Sequence, residues 1–357
     1  MISSTIAEYR ERAQQGSLHA IDLDTLDIYP DHPDVIPAHS YLERMHVLFD
    51  DEKRRKELSG ERNDSRKHFL KLLGETGSAR LYRKPSADSR LDSLYERFPN
   101  FADTLDVLSE QIALSSLSEN AVFTIRPILL VGPPGVGKTR FMREVAKILG
   151  LEFTDISCGG ISAGFVLSGN SVSWSDGRPG MVYSTMRDGL TANPVILLDE
   201  IDKLSGDSRF SGFGPLYQLL DRESSCHFRD EAVDLEINCS YVSWVATANH
   251  VEVIPEAIIS RFTVIEVEAP TSEQMVNVIQ SIYSDILHDN RDTWGSHFSP
   301  EVTDSMIEAL QGQGPREIVK MILSAMGRAV KGRKEAVYVL EGLDFKDFKK
   351  PVRRIGF

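Results

Sequence analysis

The stretch from Gly132 to Thr139 reads GPPGVGKT and fits the phosphate-binding pattern G-x-x-x-x-G-K-[ST]. It follows the apolar run Ile125–Val131 and precedes a predicted helix from about Lys138 to Leu149, so it has the strand–loop–helix context that the pattern requires. Glycines let backbone N–H groups approach phosphate oxygens, and a helix beginning here directs the positive end of its dipole at the same anion. The stretch therefore predicts an α/β fold with a nucleotide site.

Each residue type in this loop suits a role in phosphate binding. Lys138 would place a compact positive charge on the β- and γ-phosphates, and the Thr139 hydroxyl would ligate Mg²⁺. The sequence thus predicts a site for a nucleotide and its magnesium ion. The other predicted nucleotide contacts are Gly132, Pro133, Pro134, Gly135, Val136, Gly137 and Arg140.

Composition places the chain among soluble globular proteins of two or three domains. It has 357 residues, of which 41% are hydrophobic and 26% are charged. No run approaches about 18 apolar residues, and the opening MISSTIAEYRERAQQG lacks the apolar core of a signal peptide. Three cysteines without C-x-x-C spacing predict reduced thiols. We expect a cytoplasmic protein without a membrane partner.

The charge balance bears on nucleic-acid binding. A net charge of -13 argues against a nonspecific nucleic-acid coat, because phosphate binding needs a basic surface. The acidic charge therefore disfavours a DNA-acting loader or helicase. That alternative stays open, because a local basic pore is compatible with the same total charge. Salt-sensitive DNA binding would favour it.

Short apolar runs alternate with helical patterns and predict a parallel sheet covered on both faces. After Pro270 only helical patterns follow, with a capping box at Thr271 and Gln274 and further helix starts at Ser299-Pro300 and Gly314-Pro315. The predicted strands are Ile125–Val131, Leu151–Ser157, Val195–Leu198, Tyr241–Thr247 and Thr263–Val267.

These patterns predict four segments. Residues 1–100 would form a polar arm and a mainly helical region for substrate or partner docking, in which the mixed charges of residues 41–73 are typical of a solvated helix face. Residues 101–270 would form the nucleotide-binding domain, 271–340 a small all-helical lid, and 341–357 a basic tail.

Hydrolysis needs groups beyond a phosphate loop, and the stretch VILLDEID, from Val195 to Asp202, offers them. It is an apolar strand that ends in carboxylates, at the edge of a parallel sheet where ligands bind. Asp199 would hold Mg²⁺ through water, and Glu200 would polarise the attacking water. The alternative is that these carboxylates are only the solvated end of a buried strand.

Three further residues are candidates for contacts with the γ-phosphate. Asn249 ends the apolar stretch WVATAN and could reach the phosphate or the attacking water, although Asn also commonly closes a strand in a turn. Arg261, in PEAIISRF, could act in trans on a neighbouring subunit, as arginine fingers do, or form a surface ion pair. Arg316, in GQGPREIVK, starts a helix of the lid and could couple nucleotide state to domain angle.

The order of these motifs resembles the AAA+ ATPases, and within them the ATPase module of Lon proteases. The resemblance covers roughly 122–331 and includes LSGNSVSWSDGRPGMV (Leu167–Val182), NPVILLDEIDK, LYQLLDRES and ATAN with IPEAIISRF. It implies a P-loop AAA+ sheet domain with a helical lid, and it implies Mg-ATP as the ligand.

The resemblance assigns a role to each candidate. Lys138 and Thr139 become the phosphate and metal ligands, and Asp199 and Glu200 the hydrolytic pair. Asn249 becomes a sensor, Arg261 the intersubunit finger and Arg316 the lid sensor. It also places Trp174 on a loop that lines a central pore and grips polypeptide, with loop anchoring in the core as the alternative; a serine, Ser175, stands where Lon enzymes have a hydrophobic residue.

The resemblance implies a homo-oligomeric ring, a hexamer as in the family, that remodels or unfolds protein substrates through a central pore. No segment after the lid matches the serine–lysine protease domain of Lon, so we expect ATP hydrolysis without proteolysis. The alternative function is an assembly switch or scaffold that binds ATP and recruits a partner without threading.

Overall fold

The computed structural model describes residues 42–83, 91–117, 122–159, 164–173, 177–204 and 212–345. No helix in these ranges combines the length and apolar character that a membrane crossing requires. The strands are β1 (Leu42–Val47), β2 (Ala79–Arg83), β3 (Ile128–Val131), β4 (Phe153–Ser157), β5 (Val195–Asp199), β6 (Phe228–Arg229), β7 (Glu236–Ile237), β8 (Ser243–Ala248) and β9 (Thr263–Glu266).

Helices follow or precede most of these strands. Short 3₁₀ turns lie between some of the elements, among them Ile201–Lys203 directly after β5. The α-helices are α1 (Asp51–Gly60), α2 (Asp64–Glu75), α3 (Asp92–Arg97), α4 (Ala102–Ser116), α5 (Lys138–Ile148), α6 (Phe165–Ser168), α7 (Met181–Asp188), α8 (Gly214–Leu219), α9 (Arg222–Ser225), α10 (Glu256–Ile259), α11 (Ser272–Asp289), α12 (Asp304–Leu310) and α13 (Pro315–Gly332).

The predicted parallel sheet is confirmed, with strand order β4-β5-β8-β3-β9. Val195, Ile196, Leu197 and Leu198 are all fully buried. Because successive side chains point to opposite faces of a strand, both faces of the sheet are covered at β5. The strand predicted at Ile125–Val131 is β3, and it begins later than predicted, at Ile128. The Ile125 N–H donates to the Ser243 hydroxyl at 2.9 Å and not to a backbone carbonyl of a neighbouring strand.

The chain divides into two compact units. The first contains the described parts of Met1–Arg90, Asp106–Val131 and Thr139–Glu266. The second contains those of Leu91–Leu105, Gly132–Lys138 and Val267–Phe357. The units cross the predicted boundaries at residues 100 and 270, because segments that are distant along the chain pack together within each unit.

The N-terminal segment of the first unit contains α1 and α2 and also an antiparallel pair, β1 and β2. Arg54 of α1 is buried, donating to Asp51 Oδ1 at 2.6 Å and to the Leu70 carbonyl at 3.0 Å, so this charged helix is not purely a solvated face. Leu70 is itself fully buried in the same hydrophobic core as Ile196 of the sheet. The segment is thus part of the core of the first unit.

Arg80 connects β2 to α7 within the first unit through hydrogen bonds of its buried side chain. Its side chain is 1% exposed, and its guanidinium donates to the carbonyl oxygens of Met186 at 2.9 Å and Arg187 at 2.8 Å. These carbonyls lie in the last turn of α7, where a cation interacts favourably with the helix dipole. Further hydrogen bonds of Arg80 go to oxygens of Thr76, Gly77 and Ala79.

The helices α11, α12 and α13 form an apolar core in the second unit. The capping box at Thr271 and Gln274 is confirmed, and α13 begins at Pro315 as predicted. The middle helix begins at Asp304 rather than at Pro300. Thr303 caps it, accepting the Met306 N–H at 3.2 Å, and this local cap determines where the helix starts.

Candidate nucleotide site

The sheet brings three functional strand ends together at one edge of the first unit. β8 lies between β5 and β3, with Leu198 opposite Ala246 and Val131 opposite Ala248. Parallel strands present their carboxyl ends on the same side, so Asp199 at the end of β5 and Asn249 directly after β8 share that edge. The half-buried Asn249 therefore lies where its sequence context predicts it.

Asp199 is the centre of a hydrogen-bond network in the first unit. The Thr139 hydroxyl lies 3.1 Å from both Asp199 carboxylate oxygens. The Thr247 hydroxyl also donates to Asp199 Oδ1, and it accepts the backbone N–H of Glu200 at 3.0 Å. One threonine on β8 thus fixes both carboxylate-bearing residues at the end of β5.

The Thr139–Asp199 pair fits a magnesium ion. A hydroxyl oxygen and a carboxylate oxygen are hard donors, and Mg²⁺ typically takes one or two such ligands with waters and substrate phosphates completing its shell. Within the described residues there is no cluster of three or more His, Cys, Asp or Glu side chains that could hold a metal without a substrate. The donor set therefore suits a magnesium nucleotide rather than a dedicated structural metal.

Glu200 has an unusual backbone conformation. Its φ of 58° and ψ of 48° lie in the left-handed region, which only Asp234 shares among the non-glycine residues that the structure describes. Such a conformation costs about 1–3 kcal/mol and is often found at functional sites. The Glu200 N–H bond to Thr247 helps to hold it.

The Glu200 carboxylate is oriented by two neighbours. Lys203 lies 2.7 Å from Oε2, and the pKa of Lys203 is raised, chiefly by this hydrogen bond. Gly159 leaves room for this carboxylate, since a Cβ there would lie 2.5 Å from Glu200 Oε2. The carboxylate is thus held at a defined position and is one third exposed to solvent.

Cys158 lies beside these carboxylates but is not a nucleophile. It is buried, and its backbone N–H donates to the Asp199 carbonyl at 2.8 Å. Burial, followed by the charges of Asp199, Asp202 and Glu200, raises the pKa of its thiol to about 12. Because the thiolate is the reactive form, this cysteine has a packing role.

The phosphate-binding loop is described within the second unit from Gly132 to Lys138. The side chain of Lys138 is buried, with Nζ 2.6 Å from the Gly132 carbonyl and 3.1 Å from the Pro133 carbonyl. Gly135 and Gly137 have φ values of 86° and 105°, which L-residues rarely adopt. The predicted glycine-dependent loop is therefore formed.

Gly132 is required for a different reason. A Cβ at this position would lie 2.1 Å from the Val267 carbonyl oxygen, closer than atoms can approach. The loop and the segment that leads into α11 are therefore in direct contact within the second unit.

Arg316 also lies beside the loop in the second unit. It occupies the first turn of α13, and its Cδ is 3.7 Å from where a Cβ on Gly135 would stand. A cationic side chain adjacent to a phosphate-binding turn is suited to contact a bound anion. The role of lid sensor that the resemblance implies for Arg316 stays a prediction.

Arg261 follows α10 in the first unit and contacts neutral groups. Its Nη1 donates to the Ala257 carbonyl, and its Cζ lies 5.5 Å from the ring centroid of Tyr217. The guanidinium is partly exposed. Among the residues that the structure describes, no ion pair of Arg261 within 4 Å is present, and its role as an intersubunit finger stays a prediction.

The other predicted positions are less informative. Pro133 and Pro134 are exposed, Val136 is buried, and Arg140 lies in α5. Trp174 falls outside the described residues.

Sequence reasoning missed Thr247 and Lys203, which contact the strand-end carboxylates, and Tyr217, which contacts Arg261. These residues lie in the stretches WVATAN, DEIDK and LYQLLDRES, but the roles of Thr247 and Tyr217 depend on contacts between segments that are distant in sequence.

This geometry is that of a P-loop α/β domain. Residues 128–269 match the family model described as "ATPase family associated with various cellular activities (AAA)". This region of the chain is therefore similar to the AAA ATPase family, and it is also similar in sequence to the corresponding part of Lon proteases.

Two Lon relatives illustrate the extent of the similarity. The Lon protease of Lachnoclostridium phytofermentans is 31% identical over 219 residues, which cover 58% of this chain and 27% of the relative. Lon protease 2 of Herpetosiphon aurantiacus is 38% identical over 170 residues, covering 47% and 21%. The aligned region thus spans about a quarter of the length of these relatives.

A solved structure supports the fold. The closed-state cryo-EM reconstruction of Hsp104 with ATPγS and FITC-casein matches with a TM-score of 0.50 and 15% identity. The match covers 67% of this chain and 47% of that one. At this identity, the likeness concerns the fold alone.

Proposed function

We propose that this protein is a Mg-ATP-hydrolysing ring motor that remodels or unfolds protein substrates through a central pore. The observation that carries the proposal is the linked set Thr139, Asp199, Thr247 and Glu200 at the edge of the sheet. It combines a metal-ligand pair with a fixed carboxylate, which ATP hydrolysis requires.

ATP binding would use the loop residues. Backbone N–H groups around Gly135 and Gly137 and the Lys138 ammonium would hold the phosphates, with Arg316 adding a further positive charge. Thr139 and Asp199 would hold the magnesium ion. When bound, that ion would neutralise charge on the phosphates.

Hydrolysis would use Glu200 as the group that orients water and accepts its proton. Its fixed position, with the backbone held by Thr247 and the carboxylate by Lys203, reduces the ordering required when substrate arrives. Asn249 at the neighbouring strand end would orient the same water or the γ-phosphate. The arrangement at the strand ends supports these proposed roles.

The proposed assembly is a homo-oligomeric ring, with a hexamer as the expected size. Arg261 is partly exposed, and within the described residues it contacts the neutral groups of Ala257 and Tyr217, which would leave its charge available to a neighbouring subunit's γ-phosphate. Head-to-tail contacts of this kind close into rings. Mixing Arg261→Ala subunits with wild-type subunits is the direct test. A wild-type subunit would lose ATPase activity when its neighbour carries Arg261→Ala, because that neighbour would no longer supply the finger in trans.

The proposed substrate is polypeptide. The sequence similarity to Lon proteases supports this class of substrate. Trp174 would provide the grip on the threaded chain, as a bulky ring can press against any side chain. We also propose that the chain does not cleave its substrate, and intact casein after prolonged incubation with ATP is the expected result.

The testing experiment is steady-state ATPase activity across protein concentrations, with and without unfolded casein. Specific activity that rises with concentration and with casein is the expected result. Glu200→Gln is the matched control, since it keeps the shape of the side chain but removes its basicity. Low, flat activity that ignores casein would contradict the motor and favour an ATP-dependent assembly switch or scaffold.

A further inference from the structure

Tyr217 presents an aromatic face to the guanidinium of Arg261 within the first unit. The Arg261 Cζ lies 5.5 Å from the ring centroid, within the range of a cation–π contact. Tyr217 belongs to α8, where Leu216 and Leu219 are buried while the tyrosine is 39% exposed. A helix anchored in the core therefore carries this ring at the surface, directly against the arginine.

The second partner of Arg261 is also neutral. Its Nη1 donates to the carbonyl of Ala257, one turn earlier in the chain. Asp221 feels the charge of Arg261, but its Oδ1 accepts the Ser224 N–H at 2.8 Å as the cap of α9. The lowered pKa of Asp221 comes mainly from these Ser224 hydrogen bonds and least from Arg261.

This combination restricts Arg261 without neutralising its charge. An arginine has a long side chain that loses rotamer freedom when it engages a phosphate, and prior restriction lowers that cost. A carboxylate partner would restrict it too, but it would compete with the phosphate for the guanidinium. An aromatic face and a carbonyl compete far less.

We propose that Tyr217 is a positioning residue that aims Arg261 at the γ-phosphate bound by a neighbouring subunit. The inference rests on the proposed function, because it requires Arg261 to act in trans. It adds a residue for which neither the loop motif nor the strand-end motifs provide any signal.

The primary test compares Tyr217→Leu with Tyr217→Phe in steady-state ATPase assays at saturating protein concentration. We expect Tyr217→Leu to lower kcat by about three- to tenfold while the KM for ATP changes little, in keeping with the usual strength of a cation–π contact. Tyr217→Phe keeps the aromatic face and should retain kcat near the wild-type value. Tyr217→Met also removes the aromatic face, so it should lower kcat as Tyr217→Leu does. Agreement between these two variants would show that the loss does not come from misfolding of one of them.

A double variant separates positioning from a general structural effect. Tyr217→Leu added to Arg261→Ala should cause no further loss of kcat, because the tyrosine acts only through the arginine. A further loss of the same size as in the single variant would overturn the inference. Equal loss in Tyr217→Phe and Tyr217→Leu would also overturn it.

The outcomes also separate this inference from the proposed function. An Arg261→Ala variant that loses activity, together with a Tyr217→Leu variant that is fully active, would overturn the positioning role alone. Full activity of Arg261→Ala would overturn both the intersubunit finger and the role of Tyr217.

Discussion

Thr247 donates its hydroxyl hydrogen to the Asp199 carboxylate across two adjacent parallel strands. The hydroxyl oxygen accepts the Glu200 N–H at 3.0 Å at the same time. The threonine is 1% exposed, so water cannot replace either bond. The carboxylate expected to bind metal and the one expected to activate water are therefore positioned by one side chain.

Replacing this hydroxyl tests its importance. Thr247→Val keeps the side-chain volume, but it removes the donor to Asp199 and leaves the partly buried Glu200 N–H without its protein partner, so we expect a loss of about 1–2 kcal/mol in the free energy of unfolding. ATPase activity should fall by more than the unfolded fraction explains. Urea unfolding and steady-state kinetics measure the two effects. Thr247→Ser retains the hydroxyl, and equal defects in both variants would contradict the hydrogen-bond explanation.

Arg316 offers a test of the phosphate-binding loop. Its position beside Gly135 predicts that Arg316→Ala weakens Mg-ATP binding or slows hydrolysis, with a loss of about tenfold as one charged hydrogen bond is removed. Fluorescent-nucleotide titration and kcat measurements would separate the two. Lys320→Ala is the matched control, because Lys320 is exposed one turn later on α13 and pairs with Glu317 at 2.8 Å. Equal effects of both substitutions would indicate a general charge effect.

Arg80 should contribute strongly to stability. Replacing it with methionine removes the donors to several buried carbonyl groups, so we expect the free energy of unfolding to fall by about 2–4 kcal/mol. Arg55→Met is a suitable comparison, since Arg55 is two-thirds exposed and its ion pair with Asp51 should contribute less than about 1 kcal/mol. Urea unfolding of both variants provides the measurement. Similar losses would contradict the importance of burial.

Asp230 predicts a specific dependence of stability on pH. It is fully buried and accepts backbone N–H groups from Gly180 at 2.6 Å and Ala232 at 2.9 Å. Burial raises its pKa from 3.8 to about 6, against the opposing effect of these hydrogen bonds. The folded state therefore holds this proton more tightly than the unfolded state does.

The stabilisation from protonated Asp230 is complete below its unfolded pKa and is lost as pH rises through about 6. We therefore compare the free energies of unfolding of the wild type and of Asp230→Asn from pH 4 to pH 7. As pH rises across this range, the wild type should lose stability relative to Asp230→Asn. Asparagine cannot ionise, so the comparison removes the effect of other carboxylates. A constant difference across this range would contradict the raised pKa.

The sheet and the strand-end residues could be predicted because their signals are local. Buried parallel strands are continuously apolar, and polar residues that end them, such as Asp199 and Asn249, meet at one edge in any sheet of this class. The capping box at Thr271 and Gln274 was equally readable, since its partners are three residues apart.

Other features depend on contacts between distant parts of the chain. The role of Thr247 requires β8 to lie beside β5, and the role of Tyr217 requires α8 to reach Arg261. The burial of Arg80 requires the end of α7, which follows it by about a hundred residues in sequence. Charge and hydropathy patterns do not contain this information.

The integration of α1, α2 and β2 into the first unit affects how the protein can be divided experimentally. Leu70 and Leu73 share a continuous core with Val182 and Ile196, and Arg80 is bonded to the end of α7. A fragment starting near residue 91 would expose that core to water and leave helix carbonyls unpaired. The segment 42–83 therefore cannot be removed or exchanged as a separate domain. A minimal fragment or a chimera of this protein should keep it together with the sheet.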